Sequence, residues 1–212
     1  MPTILRLDSS PRDNSSHSRA VADAVEQSLI SNSEDWSVIR RDLSTQHIDV
    51  ISQETIEGFY AAKESLPENL KKATALSDEL IAELAEAETL IISAPIYNFS
   101  IPSSLKAWID QIVRVNETFA FDGDSFNGLA KTKRAILALS YGATGYTQGG
   151  ELSDMNFFEP YLVSLLKFIG INELEVFRIE GTSILDSDQL AVAKAELYSQ
   201  INKTLKGGNK NV

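Results

Sequence analysis

The sequence predicts an α/β domain built on a doubly wound parallel sheet. Apolar runs of strand length alternate with stretches whose apolar residues recur at helical spacing. Two of the runs, residues 89–93 (TLIIS) and 134–139 (RAILAL), are continuously apolar in their middles, as strands buried on both faces are. Prolines and glycines mark the joints, and no internal repeat or low-complexity linker interrupts the 212 residues.

Residues 3–7 (TILRL) read as the first strand, ended by Asp8-Ser9-Ser10 and Pro11. From Ser18 onward Ala20, Val21, Ala24, Val25, Leu29 and Ile30 keep helical spacing. Residues 36–40 (WSVIR) form the second strand. The stretch 44–67 stays open, apart from a short helix around 53–62. Pro67 then opens a long helix carrying Leu70, Ala73, Leu76, Leu80, Leu84 and Ala87. Strand three, 89–93, runs into a loop bracketed by Pro95 and Pro102, and a helix follows from Ser103 or Ser104 to about Val113. Phe119, Phe121, Asp122-Gly123 and Asn127-Gly128 indicate a hairpin-like excursion over 118–128. After strand four (134–139), a helix is expected over 154–169, closed by Gly170. Strand five spans 174–179 and the last helix 186–205, leaving 206–212 as a flexible tail.

Strand–helix alternation implies right-handed crossovers. Five strands fit the flavodoxin-like order 2-1-3-4-5 in a single domain, residues 1–212, with a six-stranded Rossmann order as the alternative. In either, ligands bind beyond the carboxyl ends of the strands, so the loops 8–18, 94–102 and 140–150 carry the function.

Composition narrows the chemistry. Thirty carboxylates against nineteen Lys and Arg give a net charge of −11, which argues against nucleic acid and anionic membrane surfaces as partners. There is no cysteine and there are two histidines, His17 and His47, so thiol chemistry, iron–sulfur clusters and zinc sites are not expected. Redox chemistry would require an organic cofactor. No apolar run approaches the roughly 20 residues of a membrane span, and the first residues lack the pattern of a secretory signal; a cytoplasmic protein is the expectation.

No glycine precedes Gly58, which excludes a glycine-rich dinucleotide fingerprint or P-loop in the first turn. That loop instead carries Ser9, Ser10, Asn14, Ser15, Ser16 and Ser18 at the mouth of a helix, with Arg12 and Arg19 able to add charge. Hydroxyls and helix N-terminal N–H groups hold a phosphate, and the same serines serve equally as caps and turn formers. The second loop, Ala94-Pro95-Ile96-Tyr97-Asn98-Phe99, offers apolar surface and an amide, as a planar heteroaromatic requires. The third, Ser140-Tyr141-Gly142-Ala143, has small residues that let a ring approach backbone, or is an ordinary glycine turn.

At these loops the chain resembles the FMN-dependent NADH:quinone oxidoreductase and azoreductase family, over roughly residues 4–205. The resemblance rests on Ser9-Ser10 with Ser16-His17-Ser18, Asp42-Leu43, residues 76–80 (LSDEL), the Pro95–Phe99 loop, Leu105-Lys106, Ser140-Tyr141-Gly142, Pro160-Tyr161-Leu162 and Phe168-Ile169-Gly170. It implies a flavodoxin-like fold, FMN as cofactor, NADH or NADPH as co-substrate and a quinone or azo acceptor. By position, Ser10, Ser16, His17 and Ser18 would hold the FMN phosphate. Ile96, Tyr97, Asn98 and Phe99 would line the ring edge, and Ser140, Tyr141, Gly142 and Ala143 its other side. The family is homodimeric with the active site at the subunit interface, and Phe121 and Phe168 match its substrate-pocket aromatics. Two departures stand out: Tyr141-Gly142-Ala143 follows Ser140 where Arg-Gly-Gly is common, and Ile96 replaces a common methionine.

The expected mechanism is ping-pong two-electron transfer without a catalytic side chain, the cofactor carrying the chemistry. A flavodoxin-type electron carrier is the alternative. A serine hydrolase is disfavoured because no G-x-S-x-G elbow occurs.

Overall fold

A computed structural model describes residues 1–31, 35–147 and 149–207. Seven strands form in chain order: β1 (Thr3–Asp8), β2 (Ser37–Asp42), β3 (Thr89–Pro95), β4 (Phe119–Phe121), β5 (Phe126–Gly128), β6 (Arg134–Ser140) and β7 (Glu173–Ile179). The helices are α1 (His17–Ile30), α2 (Gln53–Tyr60), α3 (Glu68–Glu86), α4 (Ser103–Ile112), α5 (Glu159–Phe168) and α6 (Ser187–Gly207). Five strands make one parallel sheet in the order β2-β1-β3-β6-β7. With the hairpin β4-β5 set aside, that is the flavodoxin-like order 2-1-3-4-5, and the Rossmann alternative falls.

Strand alternation sorts the core into two layers. Leu5, Leu7, Leu90, Ile92, Leu137 and Leu139 face α3, α4 and α5, packing on Leu80, Leu84, Trp108, Ile112, Leu162 and Leu166. Ile4, Ile91, Ile136, Ala138 and Phe177 face α1 and α6, packing on Val21, Val25, Leu29, Leu197 and Ile201. Burial on both faces is why the middle strands read as unbroken apolar runs.

Several boundaries differ from expectation, and β3 itself runs on to Pro95, into the expected loop, because Ala94 and Pro95 pair with Leu139 and Ser140 of β6. The helix expected over 154–169 starts only at Glu159. A 3-10 turn occupies Ser153–Met155, and Asn156 Oδ1 accepts from the Phe158 and Glu159 amides (both 3.3 Å), forming a local start that competes with helix. Pro160 then sits in the first turn, where its missing N–H costs nothing. The second strand begins at Ser37 and extends to Asp42, because it pairs with β1 through its whole length. Lys206 and Gly207, assigned to the tail, complete α6; the rest of that tail, 208–212, lies outside the described residues.

Among the described residues no helix is long and apolar enough to cross a membrane, and no group of three or more His, Cys, Asp or Glu could hold a metal.

Candidate active site

The loops after β1, β3, β6 and β7 converge on a cleft of about 250 Å³, lined by Ser10, Arg12, Ser16, His17, Pro95, Ile96, Tyr97, Ser140, Gly142, Thr182 and Ser183. The first loop is placed by short-range geometry. Ser9 gives both its amide (3.0 Å) and its hydroxyl (2.9 Å) to the Ser93 carbonyl, so Ser9 is structural. Ser10 Oγ accepts from the Arg12 amide (3.2 Å) and keeps its own proton to donate. Ser16 caps α1, accepting from the Arg19 amide (3.3 Å), and pairs with the Ser18 hydroxyl (3.2 Å). Ahead of the capped Arg19 amide, the His17 and Ser18 amides have no intrahelical acceptor and stay available.

An ion-pair web lies under this loop. Arg6, on the α1 face of β1, contacts Asp8 (3.0 Å), Asp23 (2.6 Å) and Glu26 (3.2 Å). Burial would push the Arg6 guanidinium toward neutrality, but the adjacent Asp8 carboxylate, with Asp23, outweighs this and holds it protonated. Arg19 donates to Asp42 (2.8 and 2.9 Å) and to the Ser10 carbonyl (2.8 Å). Its charge is committed to bracing the loop against β2. Of the two arginines expected to serve a ligand, only Arg12 lines the cleft.

The second loop turns tightly. Tyr97 and Ser100 exchange amide–carbonyl bonds (3.0 Å each), with Asn98 (φ 47°) and Phe99 (φ 69°) at the centre in left-handed backbone. Asparagine tolerates this conformation; phenylalanine does so at a cost, the kind of local strain that persists where a loop is held for a purpose. Tyr97 forms a partition. On its other side lies a larger cavity of about 820 Å³, lined by Asn98, Ile101, Pro102, Lys106, Asn156, Phe157, Pro160 and Tyr161 among others.

Seven of the anticipated residues meet in the cleft: Ser10, Ser16, His17, Ile96, Tyr97, Ser140 and Gly142. Ser18 is fully buried behind Ser16, Asn98 lines the larger cavity, and Phe99 and Ala143 line neither. The Tyr141 side chain points into the core: its ring packs on Tyr146 and Phe158, and its hydroxyl donates to Glu159 (3.2 Å), itself paired with Arg178. Burial, then the Glu159 charge, push that hydroxyl well above the usual tyrosine range. Thr182 and Ser183 were not anticipated; the stretch I-E-G-T-S carries no pattern beyond Gly181, which adopts positive φ (74°).

Phe121 and Phe168 meet elsewhere. α4 returns antiparallel to the strands, so the segment between it and β6 lies at the amino edge of the sheet. There the Thr132 hydroxyl donates to the Leu84 carbonyl (2.5 Å) and the Lys133 amide to that of Glu88 (3.3 Å). The hairpin holds Phe119 and Phe126 against Phe168 (5.0 and 5.6 Å between centroids), and Phe121 joins the cluster through Phe126 (4.8 Å). Phe121 (53%) and Phe126 (60%) remain exposed.

A parallel 2-1-3-4-5 sheet with a ligand cleft at its carboxyl edge defines the flavodoxin-like class of proteins. A family model for the flavodoxin-like fold matches residues 2–202. An FMN-dependent NADH:quinone oxidoreductase of Xanthobacter autotrophicus is 45% identical over 176 residues, 83% of this chain and 85% of the relative. An FMN-dependent NAD(P)H:quinone oxidoreductase of Pseudomonas aeruginosa is 37% identical, over 85% of this chain and 88% of its own. The crystal structure of an FMN-dependent NADH-azoreductase from Bacillus anthracis, in complex with FMN, superposes with a TM-score of 0.85 at 24% identity, covering 97% of this chain and 98% of that one; this likeness is one of fold. The chain belongs to the flavodoxin-like family of FMN-dependent NADH:quinone oxidoreductases.

Proposed function

We propose that this protein is an FMN-dependent oxidoreductase that carries two electrons from NADH or NADPH to a quinone, and to aromatic azo compounds, by a ping-pong cycle. One observation supports it above the others: serine hydroxyls, a helix start and Arg12, which has no ion pair among the described residues, converge in a cleft at the carboxyl edge, beside a larger and more apolar cavity. The donor set fits FMN. Ser10, Ser16 and the first turn of α1, with Arg12, match a phosphate on a polyol tail. Pro95, Ile96 and Tyr97 give a flat apolar wall for a ring where the cleft opens toward the larger cavity, and Gly142 leaves the opposite wall without a side chain where ring would meet tail. His17 and the amides of Ser18, Asn98, Phe99 and Ala143 complete the proposed set through backbone and loop position, and Tyr141, whose amide is held by the Ile179 carbonyl, takes part only by shaping that turn.

FMN, when bound, supplies the hydride chemistry. The chain's own residues bind and orient. Ser10, Ser16 and Arg12 anchor the anionic end, the Tyr97 partition holds the ring toward the larger cavity, and Asn98 presents an amide there. The nicotinamide donor leaves before the flat acceptor enters the same space. Phe121 and Phe168 lie at the opposite edge from their own cleft. A homodimer that sets one copy's aromatic hairpin over the other's cleft gives them their role as walls of the substrate pocket.

The test is reconstitution of apoprotein with FMN, then stopped-flow reduction by NADH and by NADPH and reoxidation by quinones and azo dyes. Parallel double-reciprocal lines support the cycle. A colourless chain that neither binds FMN nor oxidises either nucleotide overturns it. Slow reaction with both nucleotides alongside tight FMN binding points instead to an electron carrier.

A further inference from the structure

The loop after β7 takes part in the cleft because it is tied to the loop after β6 at every step. The Tyr141 amide donates to the Ile179 carbonyl (2.9 Å), and the Thr182 amide and hydroxyl both donate to the Tyr141 carbonyl (3.1 Å each). The Ser183 amide donates to the Gly142 carbonyl (2.9 Å) and the Gly181 amide to that of Ala143 (3.1 Å). Glu180 adds a carboxylate bond to the Gly145 amide (3.1 Å). Two hydroxyls reach the cleft wall by this means, and they differ. Thr182 spends its proton on the Tyr141 carbonyl. Ser183 Oγ has no hydrogen-bond partner among the described residues, although the residue is exposed and lines the cleft.

Nothing screens that hydroxyl. A Cβ added at Gly142 would lie 3.1 Å from Ser183 Oγ, so the absent side chain leaves the serine open to the cleft. The cleft is small, about 250 Å³, and its polar lining is chiefly hydroxyl: Ser10, Ser16, Ser140, Thr182 and Ser183. Such a lining matches a polyol phosphate, whereas the larger cavity across Tyr97 suits a ring.

We infer that Ser183 is a further cofactor-binding residue, donating from the β7 loop to the ribityl phosphate tail of FMN, with Thr182 as the positioning residue that holds it there. This rests on the FMN reading above. The shared chemistry is a hydroxyl donating to an oxygen of that tail, either a ribityl hydroxyl or the phosphate.

The experiment compares wild type, Ser183→Ala and Ser183→Thr as full-length apoprotein. Flavin fluorescence quenching is measured with FMN, with riboflavin, which lacks the phosphate, and with lumiflavin, which lacks the tail. Loss of one neutral hydrogen bond should weaken FMN binding by about 3- to 10-fold in Ser183→Ala. Affinity for lumiflavin and the apoprotein Tm should not move, and Ser183→Thr should restore binding. An equal loss with riboflavin assigns the contact to the polyol; a loss confined to FMN assigns it to the phosphate. Unchanged FMN affinity in Ser183→Ala, or an equal loss with lumiflavin, overturns the inference while leaving the FMN reading intact. A wild-type chain that binds no flavin overturns both.

Discussion

The two edges of the sheet are built in opposite ways. The carboxyl edge presents a polar cleft whose loops are tied down by backbone bonds and by the charges of Arg6 and Arg19 beneath them. The amino edge presents an apolar hairpin whose phenylalanines are exposed and whose hold on the body is a close backbone approach. Gly128 and Gly170 pass so near one another that a Cβ on Gly128 would overlap the Gly170 backbone, and the Ala130 amide donates to the Ile169 carbonyl (2.9 Å). Under the proposed function the first edge would hold the anionic cofactor, and the second would lay its aromatic surface over the cleft of another copy.

The most severe way to break the comparison is to damage the cleft's foundation alone. Arg6→Met strips buried Asp8 and Glu26 of the cation they share, leaving Asp8 only the Arg19 guanidinium at 3.9 Å and Glu26 only the exposed Arg40. Removing one member of a buried pair costs about 3–5 kcal/mol, so urea unfolding should show a loss of that size, with FMN affinity falling in step. The hairpin makes no contact with this web, and its aromatic packing should survive in whatever chain remains folded. A loss under about 1 kcal/mol would mean that the β1 loop does not depend on the web.

The reverse experiment damages the hairpin alone. Gly128→Ala forces the chain to part from Gly170 at a site that cannot give way by side-chain rotation. Overpacking of this kind costs about 1–3 kcal/mol. Turnover should collapse while FMN affinity stays within about twofold, since Gly128 is remote from the cleft. Equal losses of turnover and FMN binding would show that the two edges are not separable.

Phe168→Ala sharpens the same point more gently. Its ring lies 5.0 Å from Phe119 and 5.6 Å from Phe126, centroid to centroid. Removing aromatic contacts of this kind should raise the KM for the acceptor about 3- to 10-fold, with a smaller loss of Tm than Gly128→Ala because no backbone is displaced. Mixing Phe168→Ala chains with chains disabled at Ser16 should restore one intact site in each mixed dimer, if each copy's hairpin serves its partner.

These edges were not equally legible in the sequence. Strands were readable because burial on both faces turns them into apolar runs, and the first loop because six polar residues precede a helical pattern. The hairpin followed from Asp122-Gly123 and Asn127-Gly128: Asp122 accepts from the Asp124 and Ser125 amides (3.0 and 2.8 Å), the bonding that makes aspartate a turn former. What escaped depends on distant neighbours. Arg19 is indistinguishable from a ligand-binding arginine until Asp42 arrives beside it through β1–β2 pairing. Ser183 enters the cleft only because β7 lies next to β6. The inward turn of Tyr141 depends on Glu159 and Arg178, which are brought together by the fold rather than by spacing.

The smallest expected effect tests the charge balance of the cleft through His17. Burial, with Lys194 and Arg12 adding repulsion, lowers the pKa of this imidazole below 6.5. The sign for folding follows directly. As pH falls below 6.5 the unfolded chain takes up a proton that the folded chain resists, so apoprotein stability declines through that window. A phosphate held beside it, as proposed, would reverse the local field and favour a proton on His17. FMN should therefore bind more tightly to wild type than to His17→Asn at pH 5.5, by about two- to fivefold for a partly exposed pair, and equally at pH 7.5. The cofactor phosphate itself titrates near pH 6, but its contribution is common to both proteins and cancels in their ratio. A ratio that stays flat from pH 5.5 to 7.5 would place His17 away from the anion and leave Arg12 as the cleft's cationic partner for it.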